Sequence, residues 1–165
     1  MRDVTDTVVL VTGGRSGIGL ACAERLDADG ARVFTAQRKH ADRFESIAAD
    51  LDDPASPEAV IAQIIEKAGR LDILVNNAGV IDPIVRLEHS DPADWARVVN
   101  INLMGVYHCM HAVFPHMQSN GGTIINISSG AARGAVEGWS HYCATKAAVL
   151  SLTKCGHKEW QPHGI

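Results

Sequence analysis

The feature that most constrains the fold is a strand, a glycine-rich turn and a helix that follow one another near the start of the chain. Residues 7–11 are almost wholly β-branched and apolar, which is typical of a strand buried on both faces of a parallel sheet. The turn contains Gly13, Gly17 and Gly19, and a helical pattern then runs to a stop at Gly30. Such a turn lets the backbone approach a pyrophosphate closely, and a tight turn without any ligand is the alternative.

Four further apolar runs alternate with helical patterns along the chain. Strands are predicted at residues 32–36, 46–48, 71–76 and 123–128, and helices at 57–68, 92–116 and 142–160. This alternation indicates an α/β fold with a doubly wound, parallel, Rossmann-like sheet in three α/β/α layers. Because 165 residues that are 46% hydrophobic can fill one core of this kind, a single domain over residues 1–165 is predicted.

Charge and cysteine usage narrow the classes of function. The formal net charge of −4 leaves no basic stripe for a nucleic acid, so none is expected as a partner. The 4 cysteines show no CxxC spacing, which favours reduced thiols in the cytoplasm over a disulfide framework. We find no secretory leader pattern and no apolar run near the roughly 18 residues that a membrane span needs, so no membrane association is expected.

The end of the second predicted strand is where a dinucleotide fold contacts the adenosine ribose. An acidic residue at this place binds the 2′-hydroxyl of NAD, whereas an arginine accommodates the 2′-phosphate of NADP. The chain has Gln37 there with Arg38 beside it, and Arg15 in the glycine turn adds a second cation. This pattern favours NADP over NAD, and a solvated loop at Arg38 and Lys39 is the alternative.

Polar residues also follow the third and fourth predicted strands. Asp50 comes after the third strand, and residues 76–79 (Asn-Asn-Ala-Gly) end the fourth. In an open parallel sheet the ligand crevice lies outside the carboxyl ends of the strands. We interpret the amide-rich turn mainly as a structural device that supports the crevice floor or joins neighbouring strands.

A phenol and an ammonium group recur at helical spacing late in the chain. Tyr142 and Lys146 are four residues apart, so a helix would place both side chains on one face. A phenol that transfers protons at neutral pH needs stabilisation of its phenolate by roughly 3 pKa units, or about 4 kcal/mol, and a neighbouring ammonium has the required charge. Ser128 and Ser129 end the fifth predicted strand, on the same edge as the glycine turn. An ordinary helix face is the alternative.

The helical stretch over residues 92–116 is too apolar for a helix with one solvated side. We therefore predict that the helices at 92–116 and 142–160 pack on a partner subunit in a homodimer or homotetramer. Asn102 lies inside this apolar run, either as a hydrogen-bonded core amide or as a device that opens the helix for a water. His108 and His111 are three apart, but no third ligand joins them, so no metal is expected.

Taken in order, these motifs resemble the short-chain dehydrogenase/reductase family in its compact branch. The matching features are TGxxxGxG from Thr12, NNAG from Asn76, Asn102, Ser129 thirteen residues before Tyr142, and YxxxK ending at Lys146. The resemblance covers residues 7–165, essentially the whole chain. The segment from residue 137 to 149 is similar to carbonyl reductases near the sepiapterin and benzil reductases.

The resemblance implies a role for each matching residue in an NAD(P)-dependent oxidoreductase that acts on a small carbonyl or secondary alcohol. By this resemblance, Tyr142 is the proton donor or acceptor, and Ser129 forms a hydrogen bond to the substrate oxygen. Lys146 stabilises the phenolate and binds the nicotinamide ribose, and Asn102 positions a water. Asp50 is similar to the family's adenine-contacting aspartate, and Asn77 helps to hold strand and cofactor. The full set of expected cofactor-binding residues is Gly13, Arg15, Ser16, Gly17, Ile18, Gly19, Gln37, Arg38, Asp50, Leu51, Asn77, Ala78, Gly79, Tyr142 and Lys146.

The chain departs from the family pattern at its end. Family members continue into a sixth strand, a turn that holds the nicotinamide carboxamide, a substrate loop and a seventh strand. The expectation is therefore either a fragment of a longer enzyme or a natural short form, with the strand at 123–128 as an exposed apolar sheet edge. A shortened, non-catalytic Rossmann domain that binds a dinucleotide or a partner subunit is the second hypothesis.

Overall fold

A computed structural model describes residues 3–165 as a five-stranded parallel sheet flanked by helices. The strands are β1 (Val8–Thr12), β2 (Arg32–Gln37), β3 (Glu45–Ala48), β4 (Ile73–Asn76) and β5 (Thr123–Asn126). They lie in the order β3-β2-β1-β4-β5, and every neighbouring pair is parallel. The order runs outward in both directions from β1, which confirms the predicted doubly wound sheet.

Five α-helices connect these strands. They are α1 (Gly17–Ala28), α2 (Ser56–Ala68), α3 (Pro92–Val99), α4 (Gly105–Met117) and α5 (Ser140–Trp160). Short 3₁₀ turns span Leu87–His89, Gly130–Ala132 and Gln161–His163. Each predicted strand and helix is present, with ends that differ by one or two residues.

The sheet is buried on both faces. On one face Leu10, Phe34 and Leu74 pack against α2 and α4. On the other face Val9 and Val11 pack against α1. All five residues of β1 are buried, which confirms the prediction from its continuous apolar sequence.

The helical stretch predicted over residues 92–116 contains an irregular turn. The segment Asn100–Met104 is a π-helical turn between α3 and α4, where the Gly105 N–H donates to the carbonyl of Asn100, five residues back. Sequence periodicity did not predict this turn, inside which the Asn102 side chain binds the backbone of Val80 in a distant loop.

The apolar residues of this helical stretch are largely buried inside the chain itself. Val98 and Val113 are fully buried, and Val106 and Met110 pack against Val149 of α5. The excess of apolar residues therefore does not by itself require a partner subunit. Tyr107 of α4 is exposed, at 42%.

The outermost strand β5 presents apolar side chains at the edge of the sheet. Its only strand neighbour among the described residues is β4, and Ile125 is 44% exposed. This confirms the prediction of an exposed apolar edge at residues 123–128.

The 4 cysteines are free thiols, as the sequence predicted. Cys22, Cys109, Cys143 and Cys155 are all free and all lie in helices. Burial raises the pKa of the Cys109 thiol to about 12. Over residues 3–165, no helix is both long enough and apolar enough to span a membrane.

Candidate functional site

The glycine turn follows β1 at the carboxyl edge of the sheet and leads into α1. Gly13 has φ +67°, a left-handed conformation that glycine adopts without strain. A Cβ at Gly19 would lie 2.4 Å from the carbonyl oxygen of Gly13, so only glycine fits there. Ser16, the N-cap of α1, makes no side-chain hydrogen bond to the first turn. The first-turn amides are therefore not occupied by a capping side chain.

The glycine turn is joined to the Asn-Asn-Ala-Gly turn by hydrogen bonds around Thr12. The Asn77 side-chain amide donates to the Thr12 carbonyl at 3.0 Å, and the backbone amides of Asn77 and Ala78 donate to Thr12 Oγ1 at 3.0 and 3.1 Å. The structural role predicted for this turn is thus confirmed. Thr12 itself was not predicted as a site residue, although a polar residue that ends an apolar strand was a usable signal.

A groove of 860 Å³ runs along the carboxyl edge of the strands. Its lining includes most of the residues predicted to bind a cofactor, namely Gly13, Arg15, Ser16, Ile18, Gln37, Arg38, Asp50, Leu51, Asn77, Ala78 and Gly79. The other four predicted residues do not line it: Gly17 and Gly19 lie in the first turn of α1, and Tyr142 and Lys146 lie on α5. Ala36, Lys39, Ala49, Val80 and Ile101 complete the wall and were not predicted.

The end of the groove beside β2 carries unpaired cations. Arg15 and Arg38 are exposed, and neither forms an ion pair with a carboxylate in the described part of the chain. Gln37 donates to Ser46 Oγ at 2.6 Å, whereas its buried Oε1 has no partner among residues 3–165. Asp50 lines the groove and accepts from the Asp52 amide at 3.2 Å.

Tyr142 and Lys146 lie on the same face of α5, as predicted. The Lys146 Nζ atom is 5.6 Å from the centroid of the Tyr142 ring and donates to the carbonyl of Ile127 at 2.8 Å. Lys146 is only 4% exposed, and burial lowers the pKa of its ammonium group. The bond to Ile127 brings the carboxyl end of β5 alongside α5. A second bond, from Ser128 Oγ to the Lys146 carbonyl at 3.2 Å, strengthens this connection.

Asn102 is a fully buried amide whose hydrogen bonds are made inside the protein. Its Nδ2 donates to the Val80 carbonyl at 2.7 Å, and its Oδ1 accepts the Val80 amide at 2.8 Å. This geometry is that of the hydrogen-bonded core amide, one of the two predicted alternatives. A Cβ at Gly79 would lie 3.2 Å from Asn102 Oδ1 and 3.7 Å from Lys146 Nζ. The turn after β4, the π-helical turn and α5 therefore meet at Gly79.

Ser129 precedes the 3₁₀ turn that packs against α5. Its Oγ accepts the amide of Ala131 at 3.2 Å, and its O–H has no acceptor within the described chain.

A chain of side-chain hydrogen bonds that connects β4, β5 and α5 was not predicted. Asn76 donates to Asn126 Oδ1 at 2.9 Å, and Asn126 donates to Thr153 Oγ1 of α5 at 2.9 Å. The asparagine inside the apolar run at 123–128 was the available signal.

We expect the stability contributed by Lys146 to rise with pH. Because burial lowers its pKa below the ordinary 10.5, the unfolded chain binds more protons than the folded chain between the two values. The free energy of unfolding of the wild type, minus that of Lys146→Met, should therefore increase as the pH is raised toward 10.5. Urea unfolding at several pH values measures this difference.

The matched control for that experiment is Lys154→Met, which removes the same charge from the exposed side of α5. The loss of free energy of unfolding caused by Lys154→Met is subtracted from that caused by Lys146→Met. If the remaining difference stays constant or falls as the pH rises, the lowered pKa of Lys146 is contradicted.

Comparison with known proteins identifies the family. The model of the short chain dehydrogenase family matches residues 7–165. The chain therefore belongs to the short-chain dehydrogenase/reductase family, as its motifs predicted.

Individual relatives agree with this assignment. Sorbitol-6-phosphate 2-dehydrogenase of Klebsiella pneumoniae is 36% identical over 178 residues, covering 99% of this chain and 67% of that protein. Meso-2,3-butanediol dehydrogenase of Serratia marcescens is 35% identical over 158 residues, covering 89% of this chain and 62% of that protein. The chain thus spans about two thirds of the length of these relatives.

Solved structures share the fold. The ligand-free aldohexose dehydrogenase of Thermoplasma acidophilum superposes with a TM-score of 0.93 at 32% identity, over 98% of this chain and 64% of that one. The 3-ketoacyl-(acyl-carrier-protein) reductase of Brucella melitensis, complexed with NADH, gives a TM-score of 0.93 at 31% identity, over 98% of this chain and 73% of that one.

Proposed function

We propose that the chain carries the cofactor groove and the proton-transfer residues of an NAD(P)-dependent oxidoreductase acting on a carbonyl or a secondary alcohol. The observation that carries this proposal is the pair of Tyr142 and Lys146, with Nζ 5.6 Å from the ring centroid. The pair lies on a helix whose Lys146 reaches the end of β5. The relatives named above are dehydrogenases and reductases, which supports the same class of reaction.

The groove has features that fit a dinucleotide. Gly79 leaves open the space that a Cβ would fill beside Asn102 and Lys146, and the glycine turn does the same near the start of α1. We assign the pyrophosphate to the first-turn amides after Ser16, and the ribose 2′-phosphate to the unpaired Arg15 and Arg38. Asp50, Leu51 and the turn at residues 77–79 would line the rest. When bound, the cofactor supplies the hydride chemistry.

The protein's own residues move and hold the proton. Tyr142 gives a proton to the substrate oxygen during reduction, or takes one from the alcohol during oxidation. The positive charge of Lys146 stabilises the phenolate that remains after the proton has left. Ser129 has a free O–H to donate to the same substrate oxygen, and Asn102 fixes the turn beside Lys146 and, in this proposal, a water.

Binding and turnover together test this function. The chain is titrated with NADPH and with NADH, and oxidation of meso-2,3-butanediol and of sorbitol 6-phosphate is then followed with the oxidised cofactors. Saturable binding with turnover supports the proposal. Binding without turnover would favour a non-catalytic dinucleotide-binding domain, and absence of binding would reject both.

We further propose that NADP is preferred over NAD. The double substitution Arg15→Ala/Arg38→Ala should weaken NADPH binding about 10- to 100-fold, because each guanidinium contributes a charge-assisted hydrogen bond to the 2′-phosphate. NADH lacks that phosphate and should be affected far less. Dissociation constants from fluorescence titration measure both effects.

A matched control removes two arginines outside the groove, Arg25→Ala/Arg43→Ala, whose partners are Asp29 and Glu24. This control should leave both cofactors unaffected. Equal weakening of NADPH and NADH by the groove variant would overturn the NADP assignment.

Three further features of the protein are also proposed. We propose one domain over residues 1–165, a cytoplasmic location, and a homodimer or homotetramer through the helices at 92–116 and 142–160. The exposed Tyr107, whose ring lies 5.9 Å from that of His111, supports such an interface. Sedimentation equilibrium that shows only monomer would reject the oligomer, and cell fractionation tests the location. The similarity to carbonyl reductases near the sepiapterin and benzil reductases stays a sequence-based prediction.

A further inference from the structure

A buried imidazole lies directly before Tyr142. His141 is only 1% exposed and belongs to the first turn of α5. Its Nε2 is 2.8 Å from the carbonyl oxygen of Pro83, in the loop after β4, and its Nδ1 is 2.6 Å from the backbone nitrogen of Tyr142. The ring therefore connects that loop to the residue proposed as acid and base.

The two partners determine where the ring carries its proton. The Pro83 carbonyl can only accept a hydrogen bond, so Nε2 must donate. The Tyr142 amide can only donate, so Nδ1 must accept. Both bonds are made only by the neutral imidazole with its proton on Nε2.

The bond to Tyr142 replaces a missing helix cap. The N-cap residue of α5, Trp139, makes no side-chain hydrogen bond to the first turn. The first amides of a helix have no partner inside the helix, and a buried amide left without one destabilises the folded chain. His141 supplies the acceptor for the amide of Tyr142.

The bond to Pro83 is one of several that hold the loop after β4. Asn102 binds both backbone groups of Val80, Arg97 donates to the Asp82 carbonyl at 3.2 Å, and the Val85 amide donates to the Gly138 carbonyl at 3.0 Å. Among these attachments, the one through His141 is directly bonded to the backbone of Tyr142.

We propose that His141 is a positioning residue, which as the neutral Nε2–H tautomer joins Tyr142 to the loop after β4 and thereby sets the place of the phenol relative to the groove. The proposal rests on the proposed function only in the role it gives to Tyr142. A displacement of about 1 Å at such a group can lower a rate about 100-fold.

Three variants separate the two bonds. Asparagine at 141 places an oxygen near the position of Nδ1 and keeps the acceptor for the Tyr142 amide. Glutamine places an amide nitrogen near the position of Nε2 and keeps the donor to Pro83. Leucine fills the space of the ring but makes neither bond. A urea unfolding curve for each of the three variants shows whether that variant folds.

Amide hydrogen exchange on the 165-residue chain gives the main readout. Exchange at Tyr142 should be about 10-fold faster in His141→Gln and His141→Leu but close to wild type in His141→Asn. Exchange at Val85, which reports the loop, should be faster in His141→Asn and His141→Leu but close to wild type in His141→Gln. In ¹⁵N spectra of the histidine rings, the signal lost in all three variants should be that of an Nε2–H tautomer.

Other outcomes would overturn the proposal. Wild-type exchange at both amides in His141→Leu would show that the ring only fills space, and an Nδ1–H or doubly protonated ring at neutral pH would contradict the assigned bonds. If leucine prevents folding, the opposite responses of the asparagine and glutamine variants still decide the question. These results do not depend on turnover, so failure of the proposed function would be recognised separately, by full activity of Tyr142→Phe.

Discussion

Replacement of Tyr142 by phenylalanine is expected to lower turnover about 100- to 10,000-fold while the affinity for the dinucleotide stays close to that of the wild type. The substitution removes only the hydroxyl that transfers the proton. The ring is retained, and with it the edge-on contact with Trp139 at 5.8 Å between centroids. Initial rates with a saturating alcohol, together with cofactor dissociation constants, separate the two effects.

The matched control is Tyr107→Phe, which alters the other of the 2 tyrosines in the chain. Tyr107 lies on α4 against the rings of His108 and His111. Turnover in this control should be unchanged. If Tyr142→Phe retained the normal rate, or if both variants lost activity equally, Tyr142 would not be the proton-transfer group.

The second large effect is expected at Gly19, where alanine should destabilise the fold by about 3 kcal/mol and weaken dinucleotide binding. A Cβ at this position would lie 2.4 Å from both the Gly13 carbonyl oxygen and the Asn77 Nδ2. Both groups are restrained, because the Asn77 side-chain amide is bonded to the Thr12 carbonyl at 3.0 Å and the Gly13 N–H donates to the Ala36 carbonyl at 2.7 Å. Relief of the clash requires the glycine turn to separate from the turn after β4. Urea unfolding and NADPH titration measure the two consequences.

The control for this prediction is Gly130→Ala, where a Cβ would have no neighbour within 4 Å. Gly130→Ala should fold with near wild-type stability. Alanine in a helix interior normally stabilises by up to about 1 kcal/mol relative to glycine, so a loss at Gly19 has to come from the clash. Wild-type stability and cofactor affinity of Gly19→Ala would contradict the close packing of the glycine turn.

Much of the fold could be predicted because its local signals agree with one another. β1 is apolar along its whole length, and glycine follows where the chain must turn sharply into α1. The spacing of Tyr142 and Lys146 likewise predicted a shared helix face, which the 5.6 Å separation confirms. In each case the relevant contacts are close in sequence, so periodicity and turn chemistry were sufficient.

The parts that could not be predicted depend on contacts between distant segments. The π-helical turn contains Asn102, whose side-chain amide binds Val80, 22 residues away. The bonds of Asn126 to Thr153 and of His141 to Pro83 likewise join residues that are 27 and 58 positions apart. A single sequence indicates that such side chains are polar, but it gives no information on which backbone group or hydroxyl will satisfy them.

The π-helical turn also fixes the rotational phase between the two halves of the long helical stretch. A turn with five-residue hydrogen bonding accommodates one residue more than a regular helix would, and each residue of an α-helix advances the side-chain direction by about 100°. If the same residues instead formed a regular α-helix, α4 would be rotated by about 100° about its own axis, so that Val106 and Met110 would no longer point toward Val149. The local irregularity around Asn102 is thus a condition for the packing of α4 on α5 in this sequence.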